Sequence, residues 1–305
     1  MKKFIALILS LVMVFSMTAC GSSETKSEAT ETGAYKVAIV QQLDHSSLDE
    51  IRTAITAQLN TLAAEKGITI TIEEYNGQTD GSMLNQIATQ VVADEADMII
   101  PIATLAAVAA VNATEGTDIP VVYAAISDPE SAGLTGIPTV TGVSDALNTK
   151  FILDMMFAAQ PDIQCVGLLY SNSEVNSQTP IAEAKAYLEE KGIEYLEKTG
   201  TTSGEVLEAA VAEVLNADGI PHYTGADSFV TSGAFTTCGV NYTELGTKTA
   251  DMAFDILLGG EIGDSHVMDG GIITVNTDTA AACGIDYSVF NTMANTVNAV
   301  STIAD

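Results

Sequence analysis

The sequence predicts an α/β protein built from two similar halves. Short apolar segments such as Val37–Val40 alternate with amphipathic segments such as Ser47–Lys66. Strands that alternate with helices in this way indicate parallel sheets covered by helices on both faces. Hydrophobic residues make up 47% of the chain, which is enough for a core in each half.

The first half begins with the strand Val37–Val40 and the helix Ser47–Lys66, which stops at Gly67, a residue suited to a left-handed cap. Its other predicted elements are strand Ile68–Ile72, helix Ser82–Asp94, strand Asp97–Ile102, helix Leu105–Thr114 and strand Ile119–Ala124. The second half repeats the pattern with strand Val166–Tyr170, helix Thr179–Lys191, strand Ile193–Lys198, helix Gly204–Asn216 and strand Ile220–Gly225. Such sheets bind ligands at the carboxyl ends of their strands.

The second half is shorter than the first. The interval from Ile72 to Ile119 is 47 positions, whereas the matching interval from Leu196 to Ile220 is 24 positions. The difference corresponds to about one helix and one strand. We therefore predict that the second half lacks a counterpart of segment 97–114.

The N-terminal segment 1–20 has the features of a secretory signal. Lys2 and Lys3 precede a short apolar run, and small residues lead up to Cys20. A cysteine at this place is typical of a bacterial lipoprotein, in which it becomes the lipidated first residue. The alternative is an ordinary signal in which Cys20 is incidental. The polar segment 21–34 is predicted to be a disordered tether.

The charge of the chain excludes several partners. Without the signal, 9 basic and 40 acidic residues give a net charge of −31, which repels nucleic acid and anionic head groups. Arg52 is the single arginine, so hydroxyl and backbone N–H groups must hold any ligand carboxylate. Three cysteines remain after Cys20, and this small, odd number argues against a framework of disulfides. Cys165 lies in an apolar segment and is expected in the core.

Several motifs in the chain carry a resemblance to a known family. They are Val40–His45, Ile102–Ala107, Ala125–Pro129, Val140–Asp145, Gly167–Tyr170, Glu174–Ser177 and Gly239–Tyr242. In this order and spacing, from about Lys36 to Val297, the sequence resembles the type 1 substrate-binding lipoproteins of ABC importers, in the branch associated with tryptophan and tyrosine.

The resemblance implies a two-lobed type 1 periplasmic-binding-protein fold with parallel sheets and a shortened second lobe. The first lobe is expected to comprise residues 35–143 and about 241–265, and the second residues 144–240 and about 266–305. Members of this family carry an acidic Asp-Asn pair on the unit that is missing here. The usual acceptor for a ligand ammonium group therefore has no counterpart in this chain.

The resemblance implies an extracytoplasmic, lipid-anchored solute-binding protein that delivers a small ligand to the permease and ATPase of an ABC importer. The expected ligand is an amino acid, and aromatic amino acids are among the candidates. The resemblance implies no enzyme activity and no cofactor. His222 and His266 are isolated, without the spacing of a zinc site. Alternatives are a degenerate binding protein, a sensor that presents its ligand to a receptor, and a surface hydrolase.

The candidate ligand-binding residues follow predicted strand ends. They are Gln42, His45, Ala103, Thr104, Ser127, Asp128, Tyr170, Glu174, Asn176 and Asp227. Thr104 and Ser127, with the N–H groups of Leu105 and Ala106, are candidates for holding a carboxylate. The ammonium acceptor is expected among Asp128, Asp145, Glu174 and Asp227.

Each of these assignments has a structural alternative. Thr104 can be a plain helix cap, and His45 can brace its loop. Asp128 and Asp145 can be turn residues. Tyr170 and Phe229, the candidates for an aromatic slot, can belong to the core.

Overall fold

The computed structural model describes residues 33–172, 174–200 and 205–303, and this part of the chain is an α/β protein with parallel sheets, as the sequence predicts. The first lobe is a six-stranded parallel sheet. Its strands are β1 (Ala34–Gln41), β2 (Thr69–Asn76), β3 (Met98–Ile102), β4 (Val121–Ala124), β5 (Val140–Ser144) and β10 (His266–Val267), in the order β10-β5-β4-β3-β1-β2.

Helices cover both faces of this sheet. They are α1 (Ser46–Lys66), α2 (Gly81–Ala93), α3 (Thr104–Ala113) and α8 (Tyr242–Leu257). Val37 and Ile39 pack toward α1 and α8, while Ala38 packs toward α2 and α3, because successive side chains of a strand point to opposite faces. Helices α1 and α8 cross closely at Gly246, where a β-carbon would lie 2.6 Å from the Ile51 carbonyl oxygen.

The second lobe contains the remaining elements. They are α4 (Thr149–Ala159), β6 (Cys165–Ser171), α5 (Gln178–Lys191), β7 (Glu194–Gly200), α6 (Glu205–Ala217), β8 (Tyr223–Thr224), α7 (Asp227–Thr231), β9 (Thr236–Gly239), β11 (Ile272–Asn276), α9 (Thr277–Cys283) and β12 (Thr296–Val300). Two short 3₁₀ turns, Val175–Ser177 and Ser288–Thr292, complete it. The chain passes between the lobes after β5, after β9 and after β10, and β10 lies two residues beyond the approximate boundary expected from the sequence.

The strands of the second lobe form two separate sheets. One has the order β12-β11-β9-β8, and the other contains only β6 and β7. Placed beside the first sheet, β7 and β6 correspond to β2 and β1, and β8 and β9 correspond to β4 and β5. Strand β3, which pairs with both β1 and β4, has no counterpart among the second-lobe residues that the structure describes. The second lobe is therefore shortened at the place where the sequence predicts a missing unit.

Among the described residues, nothing covers one face of the β6–β7 sheet at the place of the missing unit. Leu168 packs into the core toward α4 and α5 and is 6% exposed, whereas Leu169, on the opposite face, is 49% exposed and Leu196 is 66% exposed. Cys165 lies on this open face and is exposed, so its expected place in the core is wrong. The reason is that a parallel sheet needs helices on both faces, and one of them is absent here.

Helix α4 links the two sheets of the second lobe. Leu153 belongs to the core that contains β6 and α5, and Met155 belongs to the core that contains β9 and β11. The two side chains leave the helix in different directions because they are two residues apart. One helix thus packs against both parts of an interrupted sheet.

The two leucines of β6 provide a matched test of the uncovered face. Leu168→Ala is expected to lower the free energy of unfolding by about 2–5 kcal/mol, because it leaves a cavity in a packed core. Leu169→Ala is expected to change it by less than about 1 kcal/mol, because its side chain already meets solvent. Urea unfolding of both variants measures the difference. Equal losses would show that something covers the Leu169 face.

Candidate functional site

The carboxyl ends of the first-lobe strands bring four predicted residues to one edge of the sheet. Gln42 follows β1, Ala103 and Thr104 follow β3, and Ser127 follows β4. Gln42 and Thr104 are buried, while Ala103 and Ser127 are partly exposed. This edge faces the second lobe, since the turn Val175–Ser177 packs against α3.

The backbone at this edge is strained at two places. Ala103 has φ 73° and ψ 163°, a conformation that is almost restricted to glycine, and Ala125 has φ 56°. Both residues directly follow a strand of the first sheet. Strained non-glycine residues cluster at ligand sites, so this geometry favours the strand ends as a functional surface.

The amino end of α3 is partly closed to a ligand. The Leu105 N–H donates to the side-chain oxygen of Gln42 at 2.9 Å, so that N–H is not available to hold a carboxylate as the sequence suggests. Gln42 therefore braces α3 from β1. Arg52 is also engaged, because its guanidinium contacts Glu74 at 2.6 Å, Gln41 at 3.1 Å and Asp49 at 3.6 Å.

His45 and α7 join the two lobes. The His45 imidazole lies edge-on to Phe229, with ring centroids 5.5 Å apart, and its Nδ1 accepts a hydrogen bond from the Ser47 N–H at the start of α1. The Ser47 hydroxyl donates to the Ser228 hydroxyl at 3.1 Å in a buried position. His45 thus caps α1 and contacts the second lobe as well.

Asp128 makes a second connection between the lobes. Its carboxylate accepts hydrogen bonds from the N–H and hydroxyl of Ser131 in its own loop, and from the Thr179 hydroxyl of α5 at 2.6 Å. These bonds, with the Ser131 N–H first, hold the pKa of Asp128 below its ordinary value. The side chain is a turn residue, as the alternative interpretation states, and it also contacts the opposite lobe.

The other predicted residues lie at separate places in the second lobe. Asn176 belongs to the turn that faces α3, and Glu174 directly precedes that turn. The Tyr170 hydroxyl donates to Glu197 of β7 at 2.9 Å, and the ring lies beside Lys185. Asp227 begins α7, where burial raises the pKa of its carboxyl. Cys20 lies outside the described residues.

A cavity of about 610 Å³ lies where the chain passes between the lobes. All three passages contribute to its wall, through Asp145–Asn148, Gly239–Tyr242 and Gly270–Gly271. Asp145 accepts a hydrogen bond from the Ser127 hydroxyl at 2.9 Å, and burial raises the pKa of its carboxyl despite that bond. None of the ten predicted ligand residues lines this cavity in the part of the chain that the structure describes.

Sequence reasoning considered Asp145 but interpreted it mainly as a turn residue. The signal that favours it was present, since Asp145 directly follows the strand Val140–Ser144. No sequence motif pointed to the residues that join the lobes, namely Ser47, Thr179 and Ser228. Within the described ranges, no cluster of three or more His, Cys, Asp or Glu suits a metal ion, and no helix has the length and apolar character needed to cross a bilayer.

The fold and its lobe contacts define a class of two-lobed binding proteins. The chain matches the family described as ABC transporter substrate binding protein over residues 36–220 and 202–289. A tyrosine-binding protein of Clostridioides difficile (strain R20291) is 31% identical, with 92% of each chain aligned. This chain belongs to the family of ABC transporter substrate-binding proteins.

Two solved structures are similar over most of the chain. One is a domain from Streptococcus pneumoniae in complex with L-Trp, with 26% identity, a TM-score of 0.77, and coverage of 87% of this chain and 100% of the other. The second is a substrate-binding protein with adhesive properties from Clostridium difficile in a ligand-free, open state. It has 29% identity, a TM-score of 0.68, and coverage of 88% of this chain and 100% of the other.

The comparison with the tyrosine-binding protein also bears on length. Its alignment is 319 positions long, which exceeds the 305 residues of this chain, so that relative carries residues that have no counterpart here.

The Asp128–Thr179 hydrogen bond provides a test of lobe closure. Thr179→Val is expected to shift the population toward an open form by a few-fold to about tenfold, because a hydrogen bond to a carboxylate is lost. Small-angle X-ray scattering should show a larger radius of gyration. Thr89→Val is the control, since the Thr89 hydroxyl bonds only within its own helix. Identical scattering from both variants would contradict the role of Thr179.

Proposed function

We propose that this chain is a lipid-anchored, extracytoplasmic solute-binding protein that delivers an aromatic amino acid to an ABC importer. The family membership supports a role in transport, and the two relatives whose names mention tyrosine and L-Trp support the ligand class. The single observation that carries the proposal is the pair of lobes joined by hydrogen bonds across their facing edges. Such lobes bind a ligand by hinge closure.

The ten residues predicted from the sequence divide into two roles under this proposal. Thr104 remains a candidate for direct contact with the ligand, because it lies at a strand end that faces the second lobe, whereas the Ser127 hydroxyl already donates to Asp145. Asp128 and His45 act mainly in closure, since both contact the opposite lobe. Gln42 supports α3, and Tyr170 supports the β6–β7 sheet. The proposal assigns no catalytic residue and no cofactor.

A ligand screen tests the proposed function. The chain from residue 21 onward contains the whole compact unit from Thr32 to Asp305. L-tyrosine or L-tryptophan at 100 times its dissociation constant is expected to stabilise the protein by about 2.7 kcal/mol, because the ligand binds only the folded form. Thermal unfolding with each of the common amino acids measures this. No stabilisation by any amino acid would contradict the proposal and favour a degenerate binding protein, which the interrupted second lobe also suggests.

The lipid anchor requires its own test. Cys20→Ser is expected to leave the protein unprocessed or to release it from the membrane, because serine cannot carry the thioether-linked lipid. Membrane fractionation of cells that produce the parent and the variant measures retention, with Cys165→Ser as the control for loss of a thiol. A correctly cleaved Cys20→Ser protein that stays in the membrane fraction would contradict lipid anchoring.

A further inference from the structure

The cavity between the lobes has a position that suits ligand-driven closure. Its wall includes all three chain passages, at Asp145–Asn148, Gly239–Tyr242 and Gly270–Gly271. A molecule bound there contacts the segments that must bend when the lobes move. The volume of about 610 Å³ lies within the usual range of small-molecule sites.

The chemistry of the wall favours a ligand with a positive charge. Among the described lining residues, Asp145 carries the carboxylate, and there is no lysine, arginine or histidine. Asn148, Asn291 and Asn295 add amide groups, which both donate and accept hydrogen bonds. Asp145 is partly exposed, and a carboxylate without a cationic neighbour is stabilised when a cation comes within hydrogen-bond distance.

Nearby carboxylates increase this preference. Tyr242, which lines the cavity and is buried, has a pKa well above its usual range because of burial and the negative charges of Asp145, Asp227 and Glu50. Three carboxylates therefore act on one wall residue. Their combined field attracts a cation and disfavours an anion.

The other acidic candidates have less room for a ligand. The Asp128 carboxylate already accepts three hydrogen bonds from Ser131 and Thr179. Asp227 begins α7 and does not line the cavity. Asp145, by contrast, lines the cavity, and the Ser127 hydroxyl donates to one of its carboxylate oxygens at 2.9 Å.

We infer that the cavity between the lobes holds the ammonium group of the ligand and that Asp145 is its acceptor. The inference takes the ligand class from the proposed function. It adds that the carboxylate of Asp145 makes the site select ligands with an ammonium group. Asp145 then serves in place of the acidic residue that is lost with the missing unit. Ser127 is a positioning residue, since its hydroxyl holds one oxygen of Asp145.

Three ligands with the same phenol ring separate the contribution of the ammonium group to binding from that of the carboxylate. L-tyrosine carries an ammonium and a carboxylate, tyramine only the ammonium, and 3-(4-hydroxyphenyl)propionate only the carboxylate. Calorimetry with the parent protein is expected to show binding of L-tyrosine and tyramine, and binding of the propionate that is at least about tenfold weaker. This comparison needs no variant.

Substitution of Asp145 tests the residue itself. Asp145→Asn is expected to weaken tyramine binding by about tenfold to a hundredfold, because a hydrogen bond to an ionised group is lost. Asp264→Asn removes an equal charge from an exposed loop position and is expected to leave the affinity unchanged. Asp145→Glu keeps the charge and is expected to retain the preference for tyramine over the propionate.

The outcomes distinguish this inference from the proposed function. Binding of L-tyrosine that is unchanged in Asp145→Asn, or that the propionate displaces as well as tyramine does, overturns the inference and leaves the function in place. Tyramine binding that depends on Asp145 without any L-tyrosine binding supports the inference and contradicts the function. Absence of tyramine binding to the parent overturns the inference.

Discussion

Strand β3 holds the first sheet together because it pairs with β1 on one side and with β4 on the other. All five of its residues are buried, so it also contributes to the cores on both faces. The second lobe lacks its equivalent, and its sheet is divided at that place. The division explains three further features: the exposed Cys165, the uncovered Leu169 and Leu196, and the dependence of the lobe on α4.

The cavity between the lobes lies away from this division. It is lined by Asp145–Asn148, by the end of β9 and the residues after it, by the segment before β11 and by Asn291–Asn295 before β12. None of its described lining residues belongs to the β6–β7 sheet, so the missing unit leaves the segments around the cavity and the carboxylate of Asp145 in place. The contact between Asp128 and Thr179 is different, because Thr179 lies on α5, which packs against the β6–β7 sheet.

Much of the fold follows from local patterns in the sequence. The strands β1, β3 and β4 and the helices α1, α2 and α3 were predicted from apolar periodicity and from Gly67, because their burial repeats along the chain. The missing unit was predicted from spacing alone. The uncovered sheet face was not, since the pattern of Gln164–Tyr170 is that of a buried strand and only the absent neighbours expose Cys165.

The site was less accessible to sequence reasoning. The positions of the strand ends identified Gln42, Thr104 and Ser127. They did not reveal that the Leu105 N–H donates a hydrogen bond to the side chain of Gln42. The contacts of Asp128 with Thr179 and of Ser47 with Ser228 join residues 51 and 181 positions apart, so no local motif reveals them. Asp145 was one of four candidates for the ammonium acceptor, with a turn as the alternative, and no local motif reveals that it lines a cavity formed by distant segments.

A crystal structure of the protein with L-tyrosine tests the central claim most directly, namely that the hinge region which survives loss of the strand still holds the ligand. We expect the ligand in the cavity between the lobes, with its ammonium nitrogen about 3 Å from a carboxylate oxygen of Asp145. A ligand whose ammonium group is held instead by Glu174 or Asp227, away from Asp145, would contradict the account.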